Sequence, residues 1–364
     1  MKILFKHTFV LIVLFVFIAC DSQSKQNNVA ISVESDGQSS LTLSEFTDTI
    51  EEKVIHINPN EATAWNLSQI AETITPISLK SYTDLSKKKA QFFYLTDEYL
   101  FIAGQTTAIA QLDMSGKHIR TVYCDDYIRG ITGDADKKEI YICTRSKVIC
   151  YDYALKVKKT FNTQFFPYAF FYHQNKIWIG SIEYKADTKT SFCKISSMDL
   201  ITGTENFLPL EIKPDSGQAL RPDIFSVYND QLVFSGFNSS LYVVKEDGVY
   251  PLIKYTVEPT GTFQFKINDV FMGFTDKVLV IKYIMISPYD SKIFMYFKHI
   301  GTDKVYNIED GINDDIYNTG NFNLMFFDLY QDHFFVFREA SDLQKSTSLK
   351  IPTDSPALFI GKLK

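Results

Sequence analysis

The sequence contains none of the short motifs that mark the common catalytic folds. There is no GxSxG elbow, no HExxH pair, no P-loop and no GxGxxG turn. Sequence grounds for a serine hydrolase, a zincin, a P-loop nucleotidase or a dinucleotide enzyme are therefore missing. Cysteine is scarce, with five residues and no CxxC or Cys/His spacing, so a structural zinc site is not indicated. Positive charge is in deficit: 37 Lys and Arg against 43 Asp and Glu give a net charge of −6. That balance gives no electrostatic reason to expect a nucleic-acid binder. The one compact basic run, Lys87-Lys88-Lys89, is short and reads as a solvated turn. Sustained 3.6-residue periodicity is absent after residue 75, which leaves room for short helices only. No apolar run reaches the roughly 20 residues a membrane-spanning helix needs.

What the sequence does have begins at its N-terminus. Lys2, Lys6 and His7 precede an apolar stretch from Thr8 to Ala19, the order of a secretory leader. Ala19-Cys20 resembles the lipobox of bacterial lipoproteins, which implies lipidation of Cys20 and removal of residues 1–19. An ordinary secreted protein cleaved nearby is the alternative. Acyl chains contribute about 0.8 kcal/mol per buried CH₂, so several on one cysteine make a lasting membrane anchor. Residues 20–49, rich in Ser, Gln, Asn and Asp, cannot bury enough surface to fold alone and read as a polar tether. Asp21-Ser22-Gln23-Ser24-Lys25 lacks a dense acidic run, and we expect an outer-membrane protein facing the periplasm rather than the cell surface. Cys124, Cys143, Cys150 and Cys193 remain in the folded part. An oxidising compartment permits disulfides, but a hairpin turning at Thr144–Lys147 sets Cys143 opposite Val148, not Cys150.

Phe (31) and Tyr (21) are abundant and favour strands. From residue 90 onward one phrase recurs: an apolar strand, a turn with Asp, Asn or Gly, and a second apolar or aromatic strand. Its second strands begin near Leu100, Ile140, Ile177, Leu232, Val278 and Phe334. The mean step is about 47 residues, the size of one four-stranded propeller blade. The expected fold is all-β, a six-bladed β-propeller of four-stranded antiparallel blades over residues 50–364. A large β-sandwich or two small β-domains are the alternatives. Closure is expected from Ile74–Leu79 pairing with Ala357–Leu363, and one helical turn is expected within Trp65–Ile70.

Three stretches resemble the six-bladed β-propeller lipoproteins of Gram-negative bacteria, a family of largely uncharacterised function. They are Leu67–Leu79, the polar loop Asp310-Gly311-Ile312-Asn313-Asp314-Asp315, and the ending Ser355–Lys364. The resemblance spans residue 50 to the end. It implies a propeller fold and no catalytic residues.

Two groups of residues are candidates for function. The segments leading into the innermost strands of a propeller open at one mouth of its channel, and there lie Arg129, Tyr168, Arg221, Asp223, Phe263 and Asn323. Arginines and aromatic rings in a funnel suit an anionic or sugar-like ligand. The acidic loop offers Asp310, Asn313, Asp314 and Asp315 as oxygen ligands for Ca²⁺, although the spacing is not that of an EF-hand. Turn formation explains the same residues. His56, His118, His173, His299 and His333 lie far apart, and His173 and His333 are expected in equivalent exposed turns. The functional expectation is a non-catalytic, membrane-anchored propeller binding a glycan, a small molecule or a protein at the mouth or rim, with no required cofactor. The alternative is a lactonase-like hydrolase or lyase holding a divalent metal through Asp223, Asn268, Asp269, Asn313 and Asp314.

Overall fold

The computed structural model describes residues 53–80, 90–104, 107–185, 187, 190–212, 225–235, 239–261, 263–302, 304–322, 326–328 and 332–364. The leader, Cys20, the tether and Lys87–Lys89 lie outside them. Six sheets form from successive stretches of chain. Blade 1 comprises Ala90–Leu95, Tyr99–Gly104, Ala108–Asp113 and His118–Tyr123, and blade 2 comprises Gly130–Asp134, Glu139–Cys143, Lys147–Asp152 and Val157–Asn162. Blade 3 comprises Pro167–His173, Lys176–Lys185, Thr190–Asp199 and Glu205–Ile212. Blade 4 follows with Phe225–Tyr228, Gln231–Ser235, Ser240–Lys245 and Gly248–Val257. Blade 5 comprises Gln264–Phe274, Val278–Ile286, Ser291–His299 and Val305–Glu309. In blade 6, Phe326–Asp328, His333–Arg338 and Ala357–Leu363 are completed by Ala71–Ser78.

The packing closes these sheets into a ring. Six apolar clusters fill the six seams, each drawing on two neighbouring blades. Alternation along the second strand of a blade explains this. In blade 1, Leu100 and Ile102 face blade 6, while Phe101 and Ala103 face blade 2. A strand buried on both faces needs a continuous apolar run, and Leu100-Phe101-Ile102-Ala103 supplies one, each residue at most 1% exposed. The protein is a six-bladed β-propeller, not a sandwich or a pair of β-domains. The outermost strand of blade 2 is instead polar, with Lys158, Lys159 and Thr160 exposed, which guards an open edge against pairing with other chains.

Ring closure follows the expected pairing, with Ile74 opposite Gly361 and Ser78 opposite Ala357. The expected helical turn is present at Leu67–Ile70, and the N–H of Lys364 donates to the carbonyl of Ile70 at 3.0 Å. One element was not foreseen. Lys53–Ile57 adds to blade 4 as a fifth strand, parallel to Gly248–Val257, with Ile55 and Ile57 buried and Val54 and His56 exposed. From there residues 58–66 cross the outer edge of blade 5 as a strap and deliver the chain to blade 6.

The hairpins joining the first and second strands interlock from blade to blade. Lys138 meets Glu98 at 3.2 Å, Tyr172 donates to Asp134, Gln174 donates to the Asp230 carbonyl at 3.4 Å, and Lys277 meets Asp332 at 3.4 Å. The N–H of Asn229 donates to Asp276 at 2.5 Å. Gln174-Asn175 and Asn229-Asp230 all take positive φ, as two-residue type I′ hairpins require. This corrects the expectation for His173. It ends the innermost strand of blade 3, opposite Lys176, and is 6% exposed. His333 begins the second strand of blade 6 and is half-buried.

The four cysteines are free and buried, and Cys143 stands opposite Val148. Burial pushes the Cys143 and Cys193 thiols far up and the Cys150 thiol up to about 11.

Candidate functional site

At the end of the ring where the innermost strands begin, the backbone before blade 2 is firmly held. Ile128 is fully buried, the Arg129 N–H donates to the Cys143 carbonyl at 2.7 Å, and a Cβ at Gly130 would lie 2.9 Å from the Phe170 ring. Arg129 is thus fixed at its root. Its guanidinium lies over the Phe166 ring, 4.7 Å from the centroid. Arg129 Nε is shielded from solvent and has no hydrogen-bond acceptor among the described residues.

The segment that brings Phe166 there is tied at two points. The Thr163 N–H donates to the Ser146 carbonyl at 2.9 Å, and the Gln164 N–H donates to buried Glu205 at 2.8 Å. Glu205 also accepts from the Ser196 hydroxyl at 2.6 Å. Phe166 then packs against Tyr168, ring centroids 4.8 Å apart. Beside it Phe165 carries the Lys194 ammonium over its face at 5.1 Å, and Lys194 pairs with Glu183 at 2.6 Å. In the same seam Ser181 is 1% exposed and its hydroxyl has no partner among the described residues. The cluster offers a planar cation stacked on an aromatic ring, a geometry suited to bidentate recognition of a carboxylate or phosphate.

Of the residues expected at the mouth, Arg129 and Tyr168 come together through Phe166. Phe263 does not join them. It lies in the seam of blades 4 and 5, with the Lys292 ammonium 5.5 Å from its ring centroid. Arg221, Asp223 and Asn323 lie outside the described residues, as do the side chains of Asn268 and Asp269. Sequence reading missed Phe165 and Phe166. Their signal was local: two consecutive phenylalanines immediately before the first strand of blade 3.

The acidic loop forms a short hairpin, Ile312–Asn313 pairing with Asn321–Phe322. Its oxygens are taken up by protein donors. Asp314, 1% exposed, accepts from the N–H groups of Tyr317 and Thr319 at 2.9 and 3.1 Å and from the Thr319 hydroxyl at 2.5 Å. Asp315 accepts from the Ser68 N–H at 2.9 Å and its hydroxyl at 2.5 Å. Burial pushes the Asp315 carboxyl up, but these Ser68 donors prevail and hold it below the usual range. Asn313 donates to the Asn66 side chain at 2.9 Å, and Asp310 turns the chain at φ 58°. Asn313 and Asp315 thus fasten the hairpin to Asn66 and Ser68, while Asp314 closes the loop on itself. Among the described residues no group of three or more His, Cys, Asp and Glu is arranged for a metal.

No protein-family model matches the chain, and no curated protein matches it. Solved structures resemble it in arrangement. BamB from Moraxella catarrhalis shares 9% identity over 80% of this chain and 99% of that one, with a TM-score of 0.45. The computationally designed Ika8 protein shares 10% identity over 78% and 98%, with a TM-score of 0.44. Glutaminyl cyclase from Myxococcus xanthus shares 9% identity over 65% and 94%, with a TM-score of 0.33. At these levels the likeness concerns the fold and does not extend to function.

Proposed function

We propose that this chain is a membrane-anchored, non-catalytic propeller that holds a ligand bearing an anionic group, a glycan or other small molecule, at the channel mouth between blades 2 and 3. The observation that carries this reading is Arg129. A guanidinium stacked on Phe166, whose Nε is shielded and has no acceptor among the described residues, costs stability unless something else accepts its hydrogen bond. Tyr168 extends the aromatic surface, and a carboxylate or phosphate on a ring-bearing ligand satisfies both parts. A protein partner at the rim would meet the same cluster through an acidic side chain.

The test is thermal melting of the full chain with D-glucuronate, inorganic phosphate and acetate, against D-glucose as the uncharged control. The anions are expected to raise the melting temperature with concentration in the native chain and not in Arg129→Met. Equal responses of the two chains contradict the reading. Metal analysis of the purified chain separates it from the lactonase-like alternative, which requires a stoichiometric divalent ion. The anchor rests on the leader and Ala19-Cys20. Among the described residues no helix is long and apolar enough to cross a membrane. Cys20→Ser is expected to move the chain from the membrane to the soluble fraction.

A further inference from the structure

Where the strap passes blade 5 it roofs a cavity of about 280 Å³ that no part of the mouth site uses. The strap is built to stay in place. The Asn58 side chain accepts from the Asn60 N–H at 3.0 Å and caps the turn Pro59–Glu61. Thr63 pairs with the Asn307 backbone at 2.8 Å, and the Trp65 and Tyr306 rings lie 3.7 Å apart. Below this roof Phe263, Phe294 and Met285 supply a carbon wall. The polar groups stand beside it, Lys292 opposite Met285 and Glu309 opposite Phe294 in the strand register. Lys292 donates to Glu309 at 2.5 Å. Asn60 adds an amide from the strap.

We propose that this cavity binds a single neutral, hydroxyl-bearing ring of monosaccharide size. The charges decide against an ion, because Lys292 and Glu309 already neutralise each other, and a charged guest would oppose one of them. Both still have hydrogen-bonding capacity, since an ammonium has three donors and a carboxylate about four acceptor sites. With Asn60 they present donors and acceptors together, which a hydroxyl can answer in either sense. The carbon wall suits the apolar face of a sugar ring, in the usual mixture of an apolar lining and a few placed polar groups. The volume lies below the roughly 300 Å³ at which drug-sized sites begin, so it takes one ring and excludes a second.

Saturation-transfer NMR on the full chain with D-glucose, D-galactose and N-acetyl-D-glucosamine tests the inference. At least one is expected to receive saturation, and Lys292→Met is expected to abolish it. Asn60→Ala removes the amide from the strap and keeps the Asn60 N–H that the Asn58 side chain caps. It is expected to leave the melting temperature unchanged while weakening the sugar roughly fivefold or more, the worth of one hydrogen bond. A merely structural residue would move the melting temperature and leave the saturation transfer as it was. No transfer to any of the three sugars, or transfer unchanged in both variants, overturns the inference.

Discussion

Asn307 donates from its side-chain amide to the Asn58 carbonyl at 2.9 Å, while its side-chain oxygen accepts from the buried Tyr283 hydroxyl at 3.0 Å. One residue of blade 5 thereby links the strap to the core. Asn307→Ala leaves the Tyr283 hydroxyl buried without its acceptor and frees the strap at its first contact. It is expected to cost about 2 kcal/mol in urea denaturation and to speed proteolysis within residues 58–66. Unchanged cleavage there shows that the strap is held elsewhere.

Gly361 stands directly opposite Phe334 in the closing blade, and a Cβ on it would fall 1.9 Å from the ring. Gly361→Ala is expected to destabilise by about 3 kcal/mol or more, because the ring cannot leave a filled core without strain. Phe334→Leu alone is also expected to destabilise, but the double variant is expected to be less damaged than the two losses added together. A double-mutant cycle reads this coupling directly, and strict additivity refutes it.

Burial holds His173 below the ordinary histidine pKa of 6.5, against the opposing pull of Asp230. His299 is lowered by burial, Lys304 and Lys364. In the window between each lowered value and 6.5 the unfolded chain binds more protons than the folded one, so stability rises with pH there. It is complete above 6.5 and falls as the medium is acidified. Urea midpoints taken across this range are expected to show the slope, and His173→Gln is expected to flatten it. An equal slope in the variant assigns the effect to other groups.

Cys124, Cys143, Cys150 and Cys193 are buried free thiols. Thiolate is the reactive form, and burial suppresses it. Iodoacetamide at pH 8 is expected to leave all four unmodified in the native chain and to modify all four after denaturation without reductant. Any of them remaining blocked in the denatured chain contradicts this.

Much of the fold was legible because a propeller buries its second strands on both faces, as Leu100-Phe101-Ile102-Ala103 shows in blade 1. Such runs stand out in any sequence, and their recurrence counts the blades. Lys53–Ile57 was not legible. A five-residue edge strand with two buried positions alternates too briefly to stand out beside a polar tether, and its partner lies about 200 residues away. His173 misled because the turn residues Gln174-Asn175 begin one position later than the pattern suggested. Of the candidate mouth residues, Arg129 and Tyr168 were legible from their position before and within innermost strands, and the structure brings them together through Phe166. Phe166 was not legible, since strand periodicity carries no information about a loop, and Phe263 belongs to a different seam. In the acidic loop the oxygens that suit a cation also suit backbone N–H groups, and Asp314 and Asp315 accept from such groups; the residue pattern alone does not separate the two uses.

The most direct test of the account is the Arg129 Nε–H resonance in a ¹⁵N-labelled full chain, followed as D-glucuronate is added. The account predicts a saturable shift with glucuronate, none with D-glucose, and loss of the assigned signal in Arg129→Met. A resonance unmoved by glucuronate, phosphate and acetate alike would contradict it and would leave Arg129 a packing residue of the seam between blades 2 and 3.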